Sequence, residues 1–575
     1  MAKAERSVQD LVNQIKRNEI VLPEMQRRYV WKSTQVRDLV DSLYRGYPSG
    51  AILLWETPGD VELQPFSVSQ DGTPLGSQLL LLDGQQRLTS LTALLTGEDL
   101  VVRHRRRPIR ILFNLDHPDD VESQGDSLEQ FDSESEDESE IDESDDEDSD
   151  DAVEDGAEDA ASNLTFMVGQ LKYERMPNWV SVTDIFQRDN TEILREAGVT
   201  SLDDPRFMKY NQRINKVKEI PDYIYRLDVL DRSLSYEEVT EIFVRVNSRG
   251  TTLRGSDLAL AQVTAKWPGC LSDFQSFEQA CNRENFNFDV GVNLRALVSL
   301  ATDQCKFNNV RQIPRTSLEE KWPATKKAMQ FSSNFLKSNC GVASSALLSS
   351  SNIALILAYI ADRWNYSIEP DEADALRRYL LLSNAKGRYT RSSSESVLDQ
   401  DLRTVRDGGR VPELFASLLS QVGRLSVEPG DFVSRKSTSP IFRTAFMAFE
   451  QSGAKDWKNS LTISKLLSGS SYKLQVHHIF PRARLEGVYE RREINDVANF
   501  AFISGATNNW IRARKPSEYV PEFIAERGAS IFEDQCIPTD LDLLSIDAYP
   551  RFLAERRKLM ADRLNTFLRT AEPDT

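Results

Sequence analysis

The chain has 575 residues, 40% hydrophobic and 28% charged, with a formal net charge of −19. That length exceeds what one core supports and points to three or four domain-sized units. The densest apolar run, Ile353 to Ala361, falls far short of the ~20 residues a membrane span needs, and Met1 to Asp10 lacks an apolar signal core, so a cytoplasmic protein is expected.

From the N-terminus, Val8, Leu11, Val12 and Ile15 share one helical face, as do Val36, Leu39, Val40, Leu43 and Tyr44. Ile20 to Pro23 and Ala51 to Trp55 read as short strands, and Leu79 to Leu82 as a fully buried one. Asp83-Gly84-Gln85-Gln86-Arg87 follows directly, then Leu88, Leu91, Leu94 and Leu95 at helical spacing. Strand, tight turn and helix aim backbone N–H groups and a positive helix end at one point, which suits a phosphate, and Arg87 can add a bidentate contact. The plainer alternative makes Asp83 an N-cap and Arg87 a surface charge. Arg103 to Ile111 reads as a basic strand, and neither His104 nor His117 beside it is assigned a role.

Asp119 to Asp159 carries 23 Asp and Glu and no Lys or Arg; without it, 70 basic face 66 acidic side chains, a net of +4. The rest of the chain is therefore mildly basic, and the overall acidity misleads about partners. The stretch 117–162 is too poor in apolar residues to offset its ordering entropy and is expected to be a disordered insertion, either a solvating loop or a polyanion competing with nucleic acid. Beyond it, Val239, Ile242, Phe243 and Val246 mark a helix that Gly250 is placed to cap. The expected layout is an α/β domain over 1–261, a helical connecting domain over 262–453, including Leu347 to Trp364 and Ala375 to Leu382, and a third domain over 454–575. Cys270, Cys281, Cys305, Cys340 and Cys536 are widely spaced without a C-x-x-C pair, supporting neither a disulfide framework nor a thiolate zinc site.

Near the C-terminus, Lys473 to Val476 alternates as a strand and ends in His477 and His478, two of only four histidines. Asn499 opens a second strand, Phe500 to Ile503; Ser504 to Thr507 then turns into Asn508, Asn509 and a short basic helix ending near Lys515-Pro516. Strand, loop, strand, helix is the outline of a ββα nuclease finger. Phosphodiester hydrolysis needs a neutral imidazole as general base and a divalent cation on the phosphate and leaving oxygen. Two protein ligands suffice for a Mg²⁺-type ion, which keeps several waters. Between Arg482 and Lys515 seven Lys or Arg meet four Asp or Glu, so Arg482, Arg484, Arg512, Arg514 and Lys515 are either phosphate contacts or an ordinary solvated face.

Three ordered motifs, Leu22-Pro23-Glu24-Met25-Gln26-Arg27-Arg28-Tyr29-Val30-Trp31, Asp83 to Arg87, and Phe243-Val244-Arg245-Val246-Asn247-Ser248-Arg249-Gly250-Thr251, resemble the ParB/sulfiredoxin-like N-terminal domain of GmrSD-type restriction enzymes. The resemblance implies an NTP-binding and NTP-hydrolysing domain, with Gln26, Arg27 and Asp83, Gly84, Gln85, Gln86 and Arg87 lining the site and Asn247 and Gly250 carried over from the third motif. No G-x-x-x-x-G-K-[ST] run is present, so it would not be a P-loop NTPase. The C-terminal run resembles the HNH, or His-Me finger, endonuclease domain of the same enzymes, with His478 to Pro481 on its H-I-x-P, Asn499 on its strand Asn and Asn508 on its helix Asn. This implies His478 as general base, His477 on the metal side, Asn499 orienting the base or the loop, and Asn508, with Asn509 as alternative, binding a divalent metal, Mg²⁺ or Mn²⁺. A His at 477 where a carboxylate is common would favour Mn²⁺ or Ni²⁺.

The function expected is a metal-dependent DNA endonuclease governed by an NTP-handling sensor and directed at modified or foreign DNA in antiviral defence. A non-catalytic nucleotide-switch DNA-binding protein and an RNA-cleaving toxin nuclease are the alternatives. The oligomeric state, a homo-oligomer included, stays open.

Overall fold

The computed structural model describes residues 2–26, 29–56, 63–64, 66–70, 78–102, 107–118, 163–247, 254–390, 393–464 and 474–569. Two compact units divide the chain, the first running to Leu271 and the second starting at Ser272. Residues 119–162 of the insertion, Arg27, Gly250 and the proposed strand residues Arg103 to Arg106 lie outside the described residues, as does the side chain of Asn247.

In the first unit, strands β1 (Ala2–Ser7), β2 (Ile20–Pro23), β3 (Ile52–Glu56), β4 (Leu63–Gln64), β5 (Leu79–Asp83) and β9 (Ile224–Leu230) form one mixed sheet in the order β1-β9-β3-β5-β2-β4. β5 sits inside it, antiparallel to β3 and parallel to β2. The four leucines of β5 have no polar alternation because both faces are covered. Leu81 joins Ile20, Leu22, Ile52 and Leu54 on the face packed by α1 (Val8–Lys16), α2 (Ser33–Tyr44) and α3 (Gln85–Thr96). Leu80 and Leu82 join Val21, Leu53 and Trp55 on the other, against Val239 and Phe243 of α4 (Tyr236–Asn247). A second sheet, β7-β6-β8, comprises β6 (Ile111–Asn114), β7 (Phe166–Val168) and β8 (Trp179–Ser181). Of the strand expected over Arg103 to Ile111, the described residues 107–110 are not strand, and β6 opens at Ile111, where the basic residues give way to Ile-Leu-Phe. His117 is buried beside Tyr44 and Phe113, hydrogen-bonded to the Tyr44 hydroxyl at 3.1 Å.

The second unit is helical up to its last third. Asn352–Arg363 has every residue from Ile353 to Ala361 buried, which accounts for the densest apolar run without a membrane. Among the described residues no helix is long and apolar enough to cross one. A buried Arg388–Asp401 pair, 2.6 Å apart, is completed by the Tyr379 and Tyr389 hydroxyls and by Ser417. Strands β10 (Leu474–His478) and β11 (Phe500–Ser504) then form an antiparallel ladder, followed at once by α5 (Gly505–Ile511). The basic run does not end that helix. α5 stops at Ile511, and Pro516 opens the next, α6 (Pro516–Arg527), in the first-turn position where a missing N–H costs nothing. Trp457, Ile479, Phe480, Ile503, Tyr519, Phe523 and Phe552 make one core beneath the ladder, the last from α7 (Tyr549–Leu568).

Candidate active site

Successive side chains of a strand leave on opposite faces, so adjacent His477 and His478 serve different surroundings. The ladder pairs His478 with Phe500 and His477 with Ala501. His478 lies edge-on to the Phe500 ring, its Nε2 3.0 Å from Asn495 Oδ1. An amide oxygen only accepts, so Nε2 carries the proton and Nδ1 keeps its lone pair. Burial pushes the His478 pKa down, the Asn495 bond opposes this, and the positive Arg482 lowers it further. Burial thus favours the neutral ring, the form a general base needs.

His477 is fully enclosed. Its Nδ1 lies 2.7 Å from Asn508 Oδ1, and Asn508 Nδ2 donates to Gln475 Oε1 at 2.8 Å. Gln475 is two residues before His477 and therefore shares its face. Burial, with His478 nearby, takes the His477 pKa down to about 4 against the Asn508 bond. Asn509 is exposed, so Asn508 is the residue of the two that meets His477. Asp456 fixes the start of α5: its carboxylate accepts from Ser504 N at 2.7 Å and from the Thr507 hydroxyl at 2.6 Å.

His477 and Asn508 fit a divalent cation. Adjacent ligands of an octahedral Mg²⁺ or Mn²⁺ stand about 3 Å apart, and the Nδ1 and Oδ1 atoms need open only slightly from 2.7 Å. Metal binding would require the ring proton to move to Nε2, a buried atom with no hydrogen-bond partner in the present arrangement. Among the described residues no group of three or more His, Cys, Asp or Glu could hold a metal, so ligation here would rest on this His–Asn pair plus solvent and phosphate oxygens.

Asn499 plays another part. It is fully buried; its Oδ1 accepts from Phe480 N at 2.8 Å, and its Nδ2 donates to the carbonyls of Phe480 and Ile494 at 3.1 and 3.0 Å. It ties the loop between the strands together and makes no bond to His478, whose partner is Asn495. Of the predicted phosphate contacts, Arg482 is paired with Glu486 at 2.5 Å, and Arg514 with Glu522 at 2.6 Å while lying over Trp510. Among the described residues Arg484 and Arg512 bond backbone carbonyls alone, of Ala513 and Asn509, and Lys515 is exposed.

In the first unit, Gly84 turns β5 into α3 with φ +100°, and a Cβ there would lie 2.4 Å from Ile52 Cδ1, so only glycine fits. Asp83 is the last strand residue and Gly84 the N-cap. Arg87 donates to the Ser49 carbonyl, to the Ala51 carbonyl at 2.8 Å and to Asp83 at 3.2 Å. Gln86 Oε1 accepts from Val30 N at 2.8 Å and Trp31 N at 3.2 Å. Gln26 donates to the Leu81 and Leu82 carbonyls at 2.9 and 2.5 Å.

Residues 8–264 match the family model of the GmrSD restriction endonuclease, N-terminal domain. This stretch belongs to that family. Over 570 aligned residues, 92% of this chain and 89% of the relative, the sequence is also 24% identical to an uncharacterized protein of Methanocaldococcus jannaschii.

In this GmrSD N-terminal domain three of the side chains expected to line a nucleotide site hold backbone segments. Arg87 gathers 49–51, Gln86 gathers 30–31, and Gln26 binds the end of β5. Gln85 is buried, with its Oε1 unpartnered. Sequence reading passed over Glu24 in the first motif, whose carboxylate accepts from Gly269 N at 2.9 Å and Leu271 N at 2.7 Å. It also passed over Asn495, Gln475 and Asp456 at the other site. Only Gln475 carried a sequence signal, its two-residue step from His477 along a strand.

Proposed function

We propose that the chain is a metal-dependent DNA endonuclease of the HNH type, joined to an NTP-binding and NTP-hydrolysing sensor domain and directed at modified or foreign DNA. The observation that carries the reading is the division of labour between neighbours: His478 with Nε2 held by the Asn495 oxygen, which leaves the proton off Nδ1, and His477 with Nδ1 against the Asn508 oxygen. Membership of the N-terminal stretch in a restriction endonuclease family supports DNA as the polymer.

His478 Nδ1 takes the proton of an attacking water, whose oxygen forms a new bond to phosphorus as the bond to the leaving sugar oxygen breaks. The charge gained by His478 is shared through Nε2–H with Asn495. A divalent cation, when bound by His477 and Asn508, supplies electrostatic stabilisation of the phosphate and leaving oxygen. Arg484, Arg512 and Lys515 supply positive charge for the flanking backbone. In the first unit the backbone N–H groups at the start of α3 remain the part of the turn that suits an NTP phosphate.

The test is incubation of the full chain with plasmid, modified phage DNA and total RNA, with and without Mg²⁺ or Mn²⁺ and with ATP or GTP. Metal-dependent DNA cleavage supports the reading; RNA cleavage alone moves it to a toxin nuclease, and DNA binding without cleavage to a non-catalytic switch. His477→Asp is expected to move the preference from Mn²⁺ toward Mg²⁺. Equal relative activity across metals in that variant counts against His477 as ligand.

A further inference from the structure

We infer that Asn495 is the positioning residue of this site: its side-chain oxygen fixes His478 in the Nε2–H tautomer and so presents Nδ1 to the water. The inference rests on the nuclease reading for its consequence in catalysis, but the tautomer itself is a property of the folded protein alone.

A neutral imidazole has one proton and two nitrogens, and the hydrogen bond at one nitrogen decides which form the other takes. Among the described residues, Asn495 Oδ1 alone bonds the His478 ring, at 3.0 Å. The residue with the better sequence credentials, Asn499, has both ends of its amide committed to the backbone of Phe480 and Ile494.

Asn495 is also held from both sides, which separates an orienting group from a passing contact. It closes the short helix Arg491–Ile494, its N–H bonded to the Arg491 carbonyl at 3.0 Å. On one flank the Ile494 carbonyl accepts from Asn499, and the Glu493 carbonyl accepts from the Tyr549 hydroxyl at 2.7 Å. On the other, Asp496 caps Ala498 N at 2.9 Å and pairs with Arg557 at 2.6 Å, while buried Arg556 holds the Ala498 carbonyl at 2.8 Å. A backbone anchored at 493, 494, 496 and 498 leaves the Asn495 side chain little freedom except toward the ring. Asn499 thus acts on His478 at one remove, by fixing the segment that carries Asn495.

The test is two-bond ¹⁵N–¹H correlation spectroscopy of histidine-labelled full chain at neutral pH without metal or DNA, the His478 signals being assigned by their loss in His478→Gln. Wild type is expected to show a proton on Nε2 and a bare Nδ1. Asn495→Ala should mix the two tautomers, and Asn495→Asp, which keeps an acceptor, should restore Nε2–H. In plasmid cleavage Asn495→Ala is expected to lower kcat by roughly 10- to 100-fold with KM little changed, and Asn495→Asp to recover most of that loss. A wild-type proton on Nδ1, or one unchanged tautomer in all three proteins, overturns the inference. The expected tautomers in a chain that cuts no nucleic acid would leave the orienting role standing and overturn the nuclease reading instead.

Discussion

The two motif-bearing sites use their polar side chains in opposite ways. At the β5–α3 turn, Gln26, Gln86 and Arg87 reach out to the backbone of three separate stretches; at the β10–β11 ladder, His477, Asn508 and Gln475 bond one another, and His478 bonds Asn495. A side chain that satisfies buried carbonyls is architecture, and removing it should show first in stability. Side chains that satisfy one another leave no backbone group unpaired when removed and should show first in chemistry.

The largest expected effect falls on the chemical side. His478→Ala should lower metal-dependent cleavage by about 10²- to 10⁴-fold, the usual contribution of a general base, with an unchanged melting temperature. Full activity in that variant would remove the assignment. Asn499→Ala is the exception that sharpens the contrast, because although it sits in the second site its bonds are of the architectural kind. It should destabilise by about 3 kcal/mol, one buried N–H and two carbonyls losing their partner, read as a lowered urea midpoint for the second unit. Arg87→Lys should cost about 2 kcal/mol, since a single ammonium cannot replace a forked guanidinium against the Ser49 and Ala51 carbonyls. Amide exchange over 49–56 should then quicken roughly 30-fold, and exchange unchanged there with NTP binding abolished would show that Arg87 serves the ligand and not the loop. Smallest is the effect of Arg512→Gln or Lys515→Gln, each expected to flatten the salt dependence of DNA binding by about one unit of slope, whereas Arg514→Gln, already paired with Glu522, should change it little.

The same contrast explains what sequence could disclose. Leu79 to Leu82 with Asp-Gly behind it spells out a buried strand, a tight turn and a helix, because each follows from local residue chemistry. The His pair at the end of an alternating run, with Asn508 downstream, was legible for the same reason. The targets of Arg87 were not: they are backbone carbonyls of Ser49 and Ala51, and a carbonyl has no sequence signature. Asn495 was hidden differently, 17 residues from His478 in a loop whose course is set by Asn499, Arg556 and Arg557 acting together. The basic run before Pro516 suggests a helix end, yet a proline just after a short polar stretch equally marks a helix start, which is how the chain uses it.

The ladder of β10 and β11 also sets the phase of the histidine pair. Slipping β10 by a single residue would turn His477 toward the loop and His478 into the core, exchanging their surroundings without altering the composition of either strand. The bonds from Gln475 and His477 to the same Asn508 make that slip unfavourable, acting as a two-toothed key on the strand's phase. Inserting or deleting one residue inside 474–478 should therefore be far more harmful than a change of length before Leu474, because it shifts the frame of both histidines at once.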